Sequence, residues 1–338
     1  MKNGILKWGL IGASNIAREY MIPAIKAQGD SEVVGVYSTS PERGKQYAQD
    51  NGLAKSYNSL DEAVNDPGTD VVYISTTNEK HKAETLAAAA AGKHVMCEKP
   101  LALTLQDARE MLSVCEKAGV VMATNHHLRN AVTHRALRRL VKEGAIGKPL
   151  AARVFHAVFL PEFLQTWRIN NPETGAGVIL DITVHDSDTL RFVLEDEVEE
   201  VTAFSARQGM GEGEIEDAVM GVMRFRGGVL AQFHDAFTIG NAPTGLEIHG
   251  TEGSLFAENV MTQKPIGRVY LRKGGETKEV DLGEPEDLYT YAIRIFNRAV
   301  RGEGEPWATG LDGVKSLAIA LAVLESTKTG RAVKVRYA

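Results

Sequence analysis

A strand-to-helix turn is predicted at Gly9-Leu10-Ile11-Gly12-Ala13-Ser14-Asn15-Ile16-Ala17, near the start of the chain. The stretch approximates the dinucleotide fingerprint G-x-G-x-x-G/A, with small residues in all three key positions. Small residues let the backbone approach a pyrophosphate, which binds at the positive N-terminus of the following helix. The middle glycine is replaced by serine, so a tight turn without a ligand remains the alternative. We predict cofactor contacts from Gly12, Ala13, Ser14, Asn15, Ile16 and Ala17.

Around this turn, the first 125 residues alternate short apolar runs with helical patterns. Strands are predicted at residues 6–11, 32–37, 71–75, 94–97 and 120–124. Helices are predicted at residues 16–27, 41–51, 60–65, 80–91 and 104–118. Alternating strands and helices favour a parallel sheet covered on both faces, which is a doubly wound Rossmann domain.

The pattern changes after about residue 150, where strands follow one another with short turns. These strands are predicted at residues 150–160, 200–208, 217–226, 228–236 and 244–250, and two helices at 287–301 and 312–328. The expected second domain is α+β with a largely antiparallel, open sheet. We therefore divide the chain into residues 1–125 and 126–338, with the option that the C-terminal helices pack back on the first domain.

Composition indicates an ordinary globular protein of about two domains, since domains average roughly 150 residues. The 338 residues are 43% hydrophobic and carry a net charge of −6, which argues against a nucleic-acid surface. Two cysteines, Cys97 and Cys115, are too few for a disulfide framework or a structural zinc site. We expect no membrane span, no secretory signal and no metal site, and hence a soluble, cytoplasmic protein.

The end of the second strand suggests which dinucleotide binds. NAD enzymes usually have an acidic residue there, which holds the ribose 2′-hydroxyl. This chain has Ser38 and Thr39 instead, followed by Arg43. Serine and arginine can bind a 2′-phosphate that a carboxylate would repel. The pattern favours NADP over NAD, although a turn serine beside a solvated arginine is the alternative.

Further polar residues follow the later strands of the first domain. Ligands of open α/β sheets bind beyond the carboxyl ends of the strands. Thr76, Thr77 and Asn78 follow the strand at 71–75, and Asn125 follows the strand at 120–124. We predict that they contact the cofactor, while Thr77 or Asn78 acting as a helix cap is the alternative. His81 is either a further cofactor contact or a surface histidine.

Two segments carry candidate catalytic groups. Lys99 lies between Glu98 and Pro100 at the end of a buried strand, where a lysine can polarise a carbonyl. In the predicted helix after Gly177, Asp181 and His185 are one turn apart and share a face. Histidine is the natural proton donor to a carbonyl being reduced, because its charge changes near neutral pH. Ordinary helix polarity is the alternative for this pair.

Together these segments carry a family resemblance. GLIGASNIA, CEKPLA, GVILDITVHDSDTLRF and the later GTEGSL resemble the Gfo/Idh/MocA oxidoreductases over essentially the whole chain. The resemblance implies hydride transfer between a nicotinamide and a sugar or cyclitol carbon. It also implies catalytic roles for Lys99, Asp181 and His185. Further implied contacts are Glu98, Lys99 and Trp167 for the cofactor, and Lys99, Arg168, Asp181, His185 and Tyr289 for the substrate.

A narrower resemblance is to NADPH-dependent keto-sugar reductases within this family. It is carried by segments such as WGLIGAS, TNHHLRN and AQFHDAF, and by the serine and alanine in the fingerprint. It implies proton donation by His185 to the reduced carbonyl. An NAD(P)-dependent sugar or inositol dehydrogenase remains an alternative, as does a non-catalytic NADP(H)-binding regulator. The expected assembly is a monomer or a homodimer.

Overall fold

The structure is a computed structural model that describes residues 4–337. The chain forms two compact units. Unit 1 comprises Met1–His127 and Tyr289–Val314, and unit 2 comprises Leu128–Leu288 and Lys315–Ala338. The chain therefore passes into unit 2 after residue 127, returns to unit 1 at residue 289 and re-enters unit 2 at residue 315.

Unit 1 is built on a six-stranded parallel sheet in the order β3-β2-β1-β4-β5-β6. The order reverses at β1, and such switch points are where open α/β sheets bind ligands. The sheet confirms the predicted doubly wound class. The short β3 was not predicted, because three residues carry too little apolar pattern. The strands are β1 (Leu6–Ile11), β2 (Ser31–Tyr37), β3 (Lys55–Tyr57), β4 (Val71–Ile74), β5 (His94–Cys97) and β6 (Met122–Thr124).

The helices of unit 1 follow the sequence signals closely. Thr104 accepts a hydrogen bond from the Asp107 amide (3.1 Å) and so caps a helix, as Ser40 and Ser59 do elsewhere. The helix predicted at 16–27 is observed as one continuous helical segment, with a π-helical part at Ala17–Met21 and an α-helical part at Ile22–Lys26. Pro23 lies near the start of the α-helical part and has no N–H to donate. The helices are α1 (Ile22–Lys26), α2 (Pro41–Asn51), α3 (Leu60–Asn65), α4 (His81–Ala90) and α5 (Leu105–Ala118).

Unit 2 contains a nine-stranded sheet in the order β14-β13-β12-β11-β7-β10-β9-β8-β15. All neighbouring strands are antiparallel except β7 and β10, which run parallel. The prediction of a largely antiparallel sheet is confirmed. The strands are β7 (Pro149–Ala157), β8 (Val198–Ala206), β9 (Ala218–Phe225), β10 (Leu230–Ala236), β11 (Gly245–Gly250), β12 (Ser254–Glu258), β13 (Arg268–Lys273), β14 (Glu276–Glu279) and β15 (Val333–Lys334).

The remaining helices include one that is almost wholly buried. It is preceded by a π turn, Ile179–Thr183, and every residue from Val184 to Val193 is buried. Within unit 1, Phe296 packs against Trp8, with ring centroids 5.3 Å apart. Between residues 4 and 337, no helix is long and apolar enough to cross a membrane. The helices are α6 (Val132–Lys142), α7 (Trp167–Asn170), α8 (Val184–Leu194), α9 (Leu288–Val300) and α10 (Gly310–Thr329).

Candidate active site

The turn after β1 requires a glycine at its first position. Gly12 has a φ of +111°, and a Cβ there would lie 2.9 Å from the Ser75 carbonyl carbon. The Ser75 amide also donates to the Ile11 carbonyl. The loops after β1 and β4 therefore lie in direct contact at the carboxyl edge of the sheet. This close approach leaves no room for a side chain at Gly12, which explains the glycine at the first position of the fingerprint.

Ser14 takes the place of the missing glycine by using its hydroxyl within the protein. Its Oγ lies 2.7 Å from Ser75 Oγ and accepts a hydrogen bond from the Ala17 amide (3.1 Å). Tyr47 donates to the Ser14 carbonyl at 2.9 Å. The serine thus holds the turn that the fingerprint glycine would otherwise form. The adjacent Asn15 accepts a hydrogen bond from Arg18.

The end of β2 and the start of α2 lie against the same turn. Arg43 is exposed, and its Nη2 donates to the Ala13 carbonyl at 2.6 Å. Ser38 is buried and accepts a hydrogen bond from the Ser40 amide at 3.3 Å, while Thr39 is exposed. Within unit 1, Arg43 is therefore held at the predicted pyrophosphate turn by one of its five donors.

Polar residues after β4 form a buried network. Thr76 donates to Glu84 at 2.5 Å, and burial raises the pKa of Glu84 to about 7. His81 is fully buried, contrary to the surface alternative, with ring nitrogens 3.0 Å from the Pro100 carbonyl and 3.2 Å from the Thr76 carbonyl. It links the loops after β4 and β5 and supports this edge from beneath.

Two further residues of this loop were weighed as helix caps. Thr77 forms no capping bond and instead donates to the Glu79 carboxylate at 2.6 Å. Asn78 is buried in the short 3₁₀ segment that leads into α4. The capping alternative therefore fails for the hydroxyl of Thr77.

Lys99 follows a glutamate that is fixed inside unit 1. Glu98 Oε1 accepts hydrogen bonds from the Tyr73 hydroxyl and from Asn125 Nδ2, the latter at 2.6 Å. Burial raises the pKa of Glu98. Lys99 itself is half-buried and is joined to Pro100 by a cis peptide bond. Three residues predicted to contact the cofactor, Glu98, Lys99 and Asn125, thus lie together at the ends of β5 and β6.

Tyr289 lies inside an aromatic stack of unit 1. Its ring is fully buried, with centroids 4.8 Å from Tyr20 and 5.4 Å from His127. The substrate contact predicted for this residue stays a prediction.

In unit 2, the segment that carries Asp181 and His185 begins at another glycine with positive φ. Gly177 has a φ of +111°, and the Glu216 carboxylate occupies the position where its Cβ would project. Glu216 Oε1 also accepts a hydrogen bond from the Ile179 amide at 3.3 Å. Burial raises the pKa of Glu216. The π turn that follows is therefore anchored at its start by a half-buried acid.

Three predicted residues come together beside this turn. Arg168 Nε lies 3.4 Å from Asp181 Oδ2, and its guanidinium lies 4.5 Å from the centre of the Trp167 ring. The carboxylate and the indole thus hold the guanidinium in one orientation. His185 is only 6% exposed and is the second residue of α8, one turn after Asp181. The predicted helical spacing is realised across the π turn rather than within one regular helix.

Sequence reasoning singled out Asp188, one helical turn beyond His185, but missed the other acids around these segments. Arg129 binds Asp188 through two bonds of 2.7 and 2.6 Å, so this third acid of the motif belongs to a buried ion pair. Glu84 and Glu216 gave no signal, since both lie in ordinary polar stretches. Asp235 did give one, because it alternates with Ala231 and Phe233 on the inward face of β10.

Known protein families match both parts of the chain. Residues 6–126 match a family described as oxidoreductases with an NAD-binding Rossmann fold. Residues 134–256 match the GFO/IDH/MocA C-terminal domain. The two matches agree with the two kinds of sheet in units 1 and 2.

Relatives cover nearly the full length. The 1,5-anhydro-D-fructose reductase of Ensifer adhaerens is 59% identical over 97% of this chain and 98% of its own. A myo-inositol 2-dehydrogenase of Thermotoga maritima is 28% identical over 99% of this chain and 98% of its own. The crystal structure of an aldose-aldose oxidoreductase from Caulobacter crescentus, complexed with glycerol, matches with a TM-score of 0.89 and 25% identity. The match covers 98% of this chain and 99% of that one. This chain belongs to the Gfo/Idh/MocA family of oxidoreductases.

Proposed function

We propose that this chain reduces a keto-sugar with NADPH, and that the substrate is 1,5-anhydro-D-fructose. The product would be 1,5-anhydro-D-mannitol. The observation that carries the proposal is the 59% identity, over 97% of the chain, to a 1,5-anhydro-D-fructose reductase. The myo-inositol dehydrogenase shares only 28%, which favours the reductase over a polyol dehydrogenase. Retention of Lys99, Asp181 and His185 argues against a non-catalytic regulator.

The residues of unit 1 fit a dinucleotide with a 2′-phosphate. The turn at Gly12 excludes a side chain, as a pyrophosphate cradle requires. Arg43 is held at this turn by one hydrogen bond to the Ala13 carbonyl and remains exposed. No carboxylate follows β2 directly, since residues 38–40 are Ser, Thr and Ser. We therefore assign the 2′-phosphate to Arg43 and Ser38.

The reaction assigns a separate role to each candidate residue. A bound NADPH supplies the hydride. His185 donates a proton to the substrate oxygen, and Lys99 stabilises the negative charge that develops there. Asp181 holds a substrate hydroxyl or tunes His185. Its carboxylate is fixed by Arg168, whose guanidinium lies over the Trp167 ring. We also propose a cytoplasmic location, which fits two buried, free thiols, Cys97 and Cys115.

A cofactor oxidation assay tests this function. We expect rapid loss of NADPH absorbance with 1,5-anhydro-D-fructose, and much slower loss with NADH or with simple ketoses. The product is identified by chromatography against 1,5-anhydro-D-mannitol and its epimer. NADPH binding without oxidation by any keto-sugar would overturn the proposal, and NAD⁺-dependent oxidation of a polyol would favour the dehydrogenase.

Arg43→Ala tests the cofactor assignment. A hydrogen bond to a charged group contributes about 1.5–3 kcal/mol, so KM for NADPH should rise on the order of 10- to 100-fold. KM for NADH should change little, because NADH has no 2′-phosphate. Steady-state kinetics with both cofactors measures the difference. Lys45→Ala, which removes an exposed charge from the same helix, is the control and should leave both constants unchanged. An equal loss with both cofactors would show that Arg43 only braces the Ala13 carbonyl.

A further inference from the structure

A cluster of four polar side chains lies buried in the core of unit 2, and none of them has a role in the proposed reaction. Thr183 and Asp186 come from the π turn and α8, His156 from β7 and Asp235 from β10. Thr183, Asp186 and Asp235 are fully buried, and His156 is 7% exposed. Buried polar groups are costly unless they bond one another, so the bonding pattern of this cluster is informative.

The two strands present their members side by side. His156 and Asp235 are direct partners in the parallel register of β7 and β10. Both side chains lie on the buried face of the sheet, since Val154 and Phe233, two residues earlier on the same strands, are also buried. A histidine and an acid thus form one polar pair on an otherwise apolar sheet face.

The hydrogen bonds tie this strand pair to the segment that carries His185. His156 Nδ1 lies 2.7 Å from Asp186 Oδ1, and the Thr183 hydroxyl donates to Asp235 Oδ2 at 2.5 Å. The carboxyl groups of Asp186 and Asp235 lie close enough to each other to interact directly. Among residues 4–337, no donor reaches the remaining oxygens, Asp186 Oδ2 and Asp235 Oδ1.

Such a carboxyl–carboxyl contact is stabilised when the two groups hold one proton between them. Two ionised carboxylates have no hydrogen to share, and their charges repel strongly in a buried site. Burial raises the pKa of Asp186 to about 7, and burial together with the nearby Asp186 raises the pKa of Asp235 well above its usual value. The pair therefore retains a proton at pH values where a solvated aspartate has lost it.

The cluster holds the chain on both sides of His185. Thr183 precedes this histidine by two residues, and Asp186 follows it directly. We propose that Asp186 and Asp235 share one proton, and that this acid pair is a positioning device that fixes the 181–185 segment on β7 and β10. The positioning role rests on the proposed function, whereas the shared proton does not.

Single and double amide substitutions test the shared proton. In Asp235→Asn, the new amide donates to Asp186 while its carbonyl still accepts from Thr183. In Asp186→Asn, the carbonyl accepts from His156 and the amide donates to Asp235. Each single substitution therefore replaces the shared proton without losing a bond. In the double variant, two NH₂ groups face each other unless the amide at position 186 turns over and His156 moves its ring proton from Nδ1 to Nε2. Either outcome abandons the bonding arrangement of the wild type.

We expect kcat of each single variant to stay near that of the wild type. The kcat of the double variant should fall by roughly 10- to 100-fold more than the two single effects combined, because the effects of substituting residues in contact are not additive. The Kd of NADPH, from protein fluorescence, should be unchanged in all three. Single variants as impaired as the double variant would overturn the shared proton, because each retains every bond.

Thermal unfolding as a function of pH provides a test without activity. An acid whose pKa is raised on folding stabilises below its unfolded pKa and loses this contribution as pH rises to its folded pKa. The wild type should therefore lose stability between about pH 4 and pH 7, and Asp235→Asn should lose less. His156 faces the pair from β7, and His134 faces His156 from α6; both stay unchanged in this variant. Parallel pH profiles would overturn the shared proton.

The ring signals of His185 in histidine-labelled protein test positioning directly. They are identified by their loss in His185→Ala. The chemical shifts of these signals should be unchanged in both single variants and should change in the double variant. Unchanged signals in a folded double variant would overturn the positioning role. If the double variant does not fold, the signals are compared in Thr183→Val, which removes one bond to Asp235 and should also shift them. If the wild type reduces no keto-sugar, the proposed function fails, while the pH profiles still decide on the acid pair.

Discussion

His185→Ala is expected to lose most of the turnover while it still binds NADPH. A positioned general acid contributes about 10²- to 10⁴-fold to a rate, so kcat should fall by this amount. His185 is buried, and α8 contains no second histidine that could replace it as the proton donor. Stopped-flow mixing of the NADPH-loaded enzyme with 1,5-anhydro-D-fructose isolates the hydride-transfer step.

The control for this variant is another histidine of unit 2. His249 lies on β11 near Glu247, and His249→Ala should leave kcat unchanged. Circular dichroism and the Kd of NADPH establish that both variants are folded. Near-normal turnover in folded His185→Ala would remove His185 from the reaction and leave Asp181 or solvent as the source of the proton.

Five of the six strands of the Rossmann unit could be predicted to within two residues because they are short, apolar runs, and β1, β4, β5 and β6 are almost wholly buried. β1 and β5 begin and end where the apolar runs do. β14 could not be predicted, since all four of its residues are exposed and polar and only its pairing with β13 makes it a strand. The parallel pairing of β7 with β10 also has no local signal, because it depends on how intervening segments pack.

The candidate site was predictable where motifs carry its residues and hidden where tertiary contacts do. The segments around Gly12, Lys99 and His185 are recognisable as local patterns. The acid pair is not, since Asp186 and Asp235 are 49 residues apart and meet only through the sheet. Asp235 nevertheless interrupts an apolar alternation, and such an interruption is the signal to examine in related sequences.

Both motif segments share a structural device. Gly12 and Gly177 each have a φ of +111°, and each is followed by a π turn, at Ala17–Met21 and Ile179–Thr183. Such wide turns are common at functional sites because they redirect side chains within a helix. The Ser75 backbone approaches Gly12 closely, and the Glu216 carboxylate approaches Gly177 in the same way. At both places the π turn then sets the direction of the side chains that follow.

Lys99→Met is the second substitution with a large expected effect. Removing one group that stabilises a developing oxyanion typically costs on the order of 10²- to 10³-fold in kcat. Methionine keeps most of the length and volume of lysine but cannot donate or carry charge. Steady-state and single-turnover rates of NADPH oxidation measure the loss. Lys117→Met, an exposed lysine in the last turn of α5, is the matched control and should behave as the wild type.

The division of this loss between kcat and KM distinguishes two roles for Lys99. If the ammonium group stabilises the alkoxide, kcat and kcat/KM fall together, because the interaction strengthens only in the transition state. If it only orients the sugar, KM rises while kcat is retained. Lys99→Arg keeps the charge but spreads it over a planar group, so it should recover part of the kcat that methionine loses. A rise in KM alone would leave His185 as the only group proposed to act on the reacting oxygen.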